Sequence, residues 1–339
     1  MNKNAAEQLI SGLYEHCLNR EPGAIEFDQW VDAIVVNGMT PDSVIRAFYE
    51  SVEYQTKHSV ITVFPPGHFH SPVVDPSTVQ NYVRRERLFK AYDINNISLN
   101  LEKMRELWNK HLTFIKNTPF TDNPSSKNRY HYLGGPFPYG DAITLRMMIM
   151  HFRPQRVIEI GSGFSSACIL DSAEHADLHN FHLTCIEPNA ERLRSLLRPA
   201  DSEKLRLIET PVQDVKCEIV DILEPNDILF IDSTHVMKTG SDVHYVFFHL
   251  MPRINPGVIL HFHDIMYPFE YPDLWIFETN YSWNEAYALR AFLMFNQEFR
   301  IIFWNSLYAT NFAAEINTEF PTFLKNPGGS IWIQRVPIQ

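Results

Sequence analysis

The stretch that most constrains this chain is Arg156 to Ser166, Arg-Val-Ile-Glu-Ile-Gly-Ser-Gly-Phe-Ser-Ser. Val157, Ile158 and Ile160 supply the short apolar run that a parallel strand covered on both faces requires. Gly161 and Gly163 then permit positive φ and close backbone approach. Ser165 and Ser166 can cap a following helix, whose free N–H groups and dipole would face a ligand. A strand, a glycine turn and a helix in that order predict a nucleotide-cofactor loop.

Two cofactor classes use such a loop. A dinucleotide loop reads Gly-x-Gly-x-x-Gly or Ala around a pyrophosphate, and the small Ser166 at the last place leaves that option open. Glu159 separates the two: a carboxylate two residues before Gly161 would repel a pyrophosphate and attract a cation. The pattern Glu159-x-Gly161-x-Gly163 resembles the first motif of class I S-adenosylmethionine-dependent methyltransferases, whose cofactor carries a sulfonium and an ammonium and no phosphate. The resemblance implies that Glu159, Gly161 and Gly163 hold S-adenosyl-L-methionine, with Ser165 beside them at the helix start.

With 339 residues, 45% of them hydrophobic, the chain can build one sizeable α/β domain and a small second one. A net charge of −11 offers no basic footprint for phosphates, so nucleic acid is not expected as a partner. Cys17, Cys168, Cys185 and Cys217 are widely spaced and form no Cys-x-x-Cys pair, as in a reduced intracellular protein. A polar N-terminus and no apolar stretch of transmembrane length complete the expectation of a cytoplasmic location.

Residues 1–58 read as a helical module. Ile10, Leu13, Tyr14, Cys17 and Leu18 fall at helical spacing, Arg20 to Gly23 make a turn, and Phe27, Trp30, Val31 and Ile34 resume the period. Thr40-Pro41-Asp42 starts a third helix. Leu13-Tyr14, Leu18-x-Arg20-Glu21-Pro22, Trp30 and Ser51 to Tyr54 resemble a short bacterial helical domain of unassigned function, found appended to cell-surface-polysaccharide enzymes. That resemblance implies docking or assembly, with a homo-oligomer or another partner. Residues 59–128 are expected to form a connector with one amphipathic helix over 101–115 and a flexible join at 119–128.

From Tyr139 onward strands and helices alternate, which defines residues 129–339 as a doubly wound α/β domain. Strands are predicted at 156–160, 182–187, 205–209, 227–232 and 257–263, followed by apolar runs at 299–304 and 330–335. Seven strands with a late final pair fit the Rossmann-like methyltransferase sheet, in which the last strand inserts antiparallel.

The second strand ends in Cys185-Ile186-Glu187, where an acid can accept hydrogen bonds from both hydroxyls of a ribose in either cofactor class. Asp214 follows the third strand, where methyltransferases of this type contact adenine. The fourth and fifth strands end in Asp232-Ser-Thr-His235 and His261-Phe-His263-Asp264. Ligands of open α/β sheets bind beyond the carboxyl ends of strands, so Asp232, His235, His263 and Asp264 should line one crevice with Gly161. Such a set can form an acid–base group or hold a divalent cation.

Phe230-Ile-Asp232-x-x-His235 and Pro256-Gly257 through His263-Asp264 resemble sugar O-methyltransferases that hold Mg²⁺ with acids at both strand tips and use the histidine as base. The resemblance implies Asp232 and Asp264 as metal ligands and His235 as general base, with Asp232 orienting the acceptor hydroxyl of a small molecule or glycan. His263 stands where an acid is common, which suits Mn²⁺ or a metal-free site better than Mg²⁺ and makes His263 the alternative base. The aromatic tract Tyr267 to Trp283 is a candidate lid or substrate wall. The rival readings are an NAD-dependent oxidoreductase and a non-catalytic assembly protein.

Overall fold

A computed structural model describes residues 1–58, 64–90, 94 and 96–337. The chain divides into two compact units, Met1–Asp75 and Pro76–Gln339. The domain boundary expected after residue 58 falls at residues 59–63, outside the described ones.

The first unit contains helices α1 (Lys3–Leu18), α2 (Ala24–Val35), α3 (Pro41–Glu50) and α4 (Val52–His58). The predicted helical spacing is the spacing of its core: Ala6, Ile10, Tyr14 and Leu18 from α1 meet Val31, Ile34, Val44 and Phe48. Thr40 accepts the Ser43 N–H at the start of α3, with Pro41 in the first helical position. Arg20 pairs with both Glu26 and Glu53, at 3.0 and 2.7 Å, and so clips the turn after α1 to α2 and α4.

The second unit runs through α5 (Pro76–Lys90), α6 (Leu101–Lys116), α7 (Tyr139–Phe152), β1 (Arg156–Ile160), α8 (Phe164–His175), β2 (His182–Ile186), α9 (Glu191–Leu196), β3 (Leu205–Ile208) and β4 (Ile228–Ile231). It continues through α10 (Asp242–Tyr245), β5 (Ile259–Phe262), α11 (Glu285–Leu293), β6 (Phe299–Trp304), α12 (Asn305–Glu319) and β7 (Ile331–Arg335). The sheet order is β3-β2-β1-β4-β5-β7-β6, with β1 to β5 parallel and β7 inserted antiparallel between β5 and β6. This is the seven-stranded arrangement read from the sequence, and every predicted strand lies within two residues of its place.

Burial explains the composition of the centre. All four residues of β4 and all four of β5 are buried, and α7 is buried from Tyr139 to Ile149, so these elements could not have shown an amphipathic stripe. The chain reverses at β1–β4, the point where ligands enter open α/β sheets. The expected flexible join at 119–128 is irregular but tied down: Phe120 is buried, Asn128 donates to the Pro119 carbonyl, and Tyr132 N–H reaches the Thr121 carbonyl. Immediately after it, Arg129 is buried against Asp171, Glu174 and Asp201 and fastens the segment to α8.

Candidate active site

The glycine loop is built around two different constraints. Gly161 has φ +79°, and a Cβ there would lie 1.7 Å from the Asp232 carbonyl oxygen, so only glycine lets β1 and β4 end side by side. Gly163 does not use positive φ, as the sequence reading supposed; its φ of 171° is extended backbone, and the close neighbour is the side chain of Arg192. The helix starts at Phe164, one residue before the expected cap, and Ser166 acts backwards by accepting the Gly163 N–H at 2.9 Å.

Glu159 faces away from the cleft. Its carboxylate is fully buried under the loop and accepts hydrogen bonds from the Ser166 hydroxyl and, at 3.4 Å, the Cys185 thiol. Burial lifts its pKa to about 7, against the lowering effect of Ser166 and the neighbouring Ser165, Cys185 and Ser162. The expectation that this acid faces the cavity is corrected: its side chain is buried and braces the glycine loop from below.

Glu187 lies where an acid for ribose was predicted, at the end of β2. Its two oxygens accept the Ser162 N–H at 3.1 Å and the Asn189 N–H at 2.7 Å, and the side chain remains partly exposed at the cavity wall. Asp214 does not reach the cavity; it is exposed, and Pro211, Val212 and Gln213 form the wall there instead. A one- or two-residue difference at the end of a short 3₁₀ turn decides which side chain points inward, and spacing alone does not fix it.

Two adjoining chambers share Gly161, Glu187 and Asp232. One, of about 490 Å³, is walled by the ends of β2 and β3 and the loop after β4. The other, of about 290 Å³, lies over the glycine loop and holds Ser165, Asp232, His235, His263, Asp264, Trp283 and Arg192. The predicted strand-tip residues therefore do meet at one place.

Their geometry is an alternation of imidazoles and carboxylates. His235 Nε2 lies 3.7 Å from Asp232 and 3.6 Å from Asp264, while its Nδ1 is 2.9 Å from Glu285. His263 Nδ1 lies 3.3 Å from Asp232 and 3.5 Å from Asp264, while its Nε2 is 3.3 Å from Asp141. Burial alone would lower both imidazole pKa values. For His235, Glu285 and then Asp264 and Asp232 reverse this and leave it raised; for His263, Asp264, Asp232 and Asp141 raise it well above the ordinary value. Asp264 is lowered in turn, because the two imidazoles outweigh its burial.

The sequence reading missed the two outer carboxylates. Glu285 is buried at the start of α11, and its backbone N–H and that of Asn284 both donate to the His235 carbonyl at 3.1 Å. These bonds hold His235 at φ +61°, an uncommon conformation for a non-glycine residue. Asp141, buried in α7, also accepts from Ser330 N–H at 2.9 Å, from the Ser330 hydroxyl at 2.6 Å and from Asn305 at 3.1 Å. Its only sequence signal was an acid at the start of a mostly apolar helix, Asp141-Ala-Ile-Thr-Leu-Arg-Met-Met-Ile-Met150.

Trp283 closes the cavity beside His235, with ring centres 4.3 Å apart, and Tyr281 stacks on Trp283 at 4.5 Å. Phe269 and Tyr271, from the same tract, are core residues instead. Asp232 and Asp264, expected to hold a metal, each lie within 3.7 Å of imidazole nitrogens of both His235 and His263. Among the described residues no group of three or more His, Cys, Asp or Glu side chains is arranged to hold a metal ion.

A parallel sheet with its last strand reversed, a glycine loop at the reversal point and ionisable groups on the neighbouring strand tips define a class I methyltransferase architecture. A family model described as a methyltransferase domain matches residues 158–265, and one described as a domain of unknown function, DUF4214, matches residues 2–58. An uncharacterized protein of Archaeoglobus fulgidus is 34% identical over 175 residues, covering 49% of this chain and 76% of that protein. The chain belongs to the class I S-adenosylmethionine-dependent methyltransferases. Remote likenesses include an O-methyltransferase from Bacillus cereus in complex with S-adenosylhomocysteine (11% identity, 76% of this chain and 99% of that one, TM-score 0.40). Another is the Podospora anserina methyltransferase PaMTH1 with the same ligand (13%, 76% and 97%, 0.38).

Proposed function

We propose that this methyltransferase is an O-methyltransferase acting on a hydroxyl of a sugar, glycan precursor or other small molecule. The observation that carries the reading is that the glycine loop lines the same chamber as His235, whose imidazole is bonded from behind to the buried Glu285. The residues fit the cofactor: Gly161 leaves backbone where a Cβ could not stand, Glu187 presents carboxylate oxygens at the passage between the chambers, and the acids at the strand tips suit a cationic donor. S-adenosylmethionine supplies an already activated methyl group, so positioning an acceptor oxygen in line is the main task of the protein.

Glu285 accepts from His235 Nδ1 and so leaves Nε2 directed toward the chamber, where it can take the proton of an acceptor hydroxyl. Asp232, partly exposed beside it, orients that hydroxyl. Trp283 and Tyr281 offer a flat wall of the kind against which sugar rings and planar groups pack. His263, clamped between Asp141 and the two strand-tip acids, supplies the counter-charge that a cation between Asp232 and Asp264 would bring. Transfer should therefore survive exhaustive chelation, and loss of turnover restored by Mg²⁺ or Mn²⁺ would return those acids to the metal.

The free cysteines support a cytoplasmic protein, and among the described residues no helix is long and apolar enough to cross a membrane. The helical module, with its own core, is assigned to docking or assembly.

The test is calorimetry with S-adenosylhomocysteine and with NAD, followed by transfer of labelled methyl groups to a panel of sugars, nucleotide sugars and catechols, with the methylated atom identified by NMR. Binding of NAD in place of S-adenosylhomocysteine would overturn the cofactor, and labelling at nitrogen or carbon would overturn the acceptor class.

A further inference from the structure

Among the described residues, Arg192 is the single arginine or lysine that lines the chamber over the glycine loop. On the same segment Arg194 pairs with Glu209 and Arg198 with Glu174, whereas no side-chain partner of Arg192 occurs among the described residues. Its stem crosses the loop, with Cδ 3.1 Å from the place where a Gly163 Cβ would stand. Around it, the acids Glu187, Asp232 and Asp264 line the same chamber, and its two imidazoles, His235 and His263, are already held between carboxylates.

The cofactor is an elongated molecule whose two ends differ in charge. Its adenosine matches the larger chamber, whose wall includes the apolar Ile160, Ile186, Val212 and Val236, and its amino-acid end must then lie over the glycine loop. There the acids suit the ammonium and sulfonium, and a carboxylate needs a cation. We infer that Arg192 pairs with the carboxylate of S-adenosylmethionine, holding the amino-acid end against the glycine loop. The guanidinium fork matches carboxylate geometry, and the exposed Arg192 side chain is solvated and free to turn toward an incoming carboxylate. The inference rests on the cofactor assignment made above.

Calorimetry can isolate this one contact. The titrants are S-adenosylhomocysteine and its decarboxylated analogue, which keeps the adenosine, thioether and amine but lacks the carboxylate. Arg192→Gln should weaken S-adenosylhomocysteine roughly 10- to 100-fold, the range for hydrogen bonds to charged groups, and leave the analogue within about twofold. Arg192→Lys should retain part of the preference and Arg192→Met none. Equal weakening of both titrants would overturn the inference, because Arg192 would then support the loop and not the carboxylate. Unchanged affinity for both would overturn it as well, leaving the cofactor assignment intact. Wild-type protein that binds neither titrant would instead refute the cofactor assignment itself.

Discussion

The tip of β1 and the tips of β4 and β5 open on the same chamber, yet they use their acids in opposite ways. At β1 the acid is turned inward: Glu159 is buried, bonded to Ser166 and Cys185, and acts on the cavity only through the backbone it braces. At β4 and β5 the acids Asp232 and Asp264 face the chamber and alternate with imidazoles, which in turn lean on buried acids behind them. Under the proposed function, the first region presents peptide groups to the cofactor. The second presents groups that can move a proton. On that same proposed function the glycine-loop backbone serves cofactor binding and the strand-tip side chains serve proton transfer, a division that substitutions can break one side at a time.

The largest effect should come from Gly161→Ala. The new methyl would stand 1.7 Å from the Asp232 carbonyl at a residue with φ +79°, so the loop must move or the protein must lose stability. We expect no measurable S-adenosylhomocysteine binding by calorimetry, together with a lowered Tm. Normal binding would mean that the loop is not the cradle. On the other side of the comparison, His235→Ala should lower turnover by about 10²- to 10⁴-fold while leaving S-adenosylhomocysteine affinity nearly unchanged. Full transfer by that variant would move the base elsewhere, with His263 the next group to replace.

Glu285→Gln comes third, with a loss of about 10- to 100-fold, the scale for removing the carboxylate that orients a functional histidine. It also has a pH signature. His235 must lose its proton to act as base, and its pKa is raised partly by Glu285, so wild-type turnover should climb with pH above about 6.5. Removing the Glu285 charge should move the midpoint of that climb to lower pH. An unshifted profile would show that Glu285 supports the fold without tuning the histidine.

The contrast between the two regions also explains what could be read from the sequence. Strand ends are legible because apolar runs such as Ile228–Ile231 stop at a polar residue, and ligand sites follow strand ends. This brought out Gly161, Glu187, Asp232, His235, His263 and Asp264 together. Side-chain direction at a turn is not legible in that way. Glu159 belongs to the strand and its side chain follows the pleat into the interior, whereas Asp214 sits on a 3₁₀ turn that exposes it and offers Gln213 to the cavity. Glu285 and Asp141 come from α11 and α7, remote in sequence from the strand tips they serve, so only the folded packing shows their role.

The smallest effect on binding, and the sharpest test of the contrast, is expected from Glu159→Gln. Were the carboxylate to meet the cofactor's ammonium, removing its charge would weaken S-adenosylhomocysteine strongly; as a buried brace, a glutamine that still accepts from Ser166 should hold affinity within a few-fold. Stability gives an independent reading. The folded protein raises the pKa of Glu159 from 4.5 to about 7, so the fold favours the protonated form. Its stabilising contribution is fully present below pH ~4.5 and is lost as pH rises through 7, a change of about 3 kcal/mol over that window. The glutamine variant carries no proton to lose. Its stability relative to wild type, measured by urea unfolding, should therefore increase between pH 5 and pH 8 by an amount of that order. A constant difference across the range would show that Glu159 is charged throughout and that its burial is offset by bonds other than those to Ser166 and Cys185.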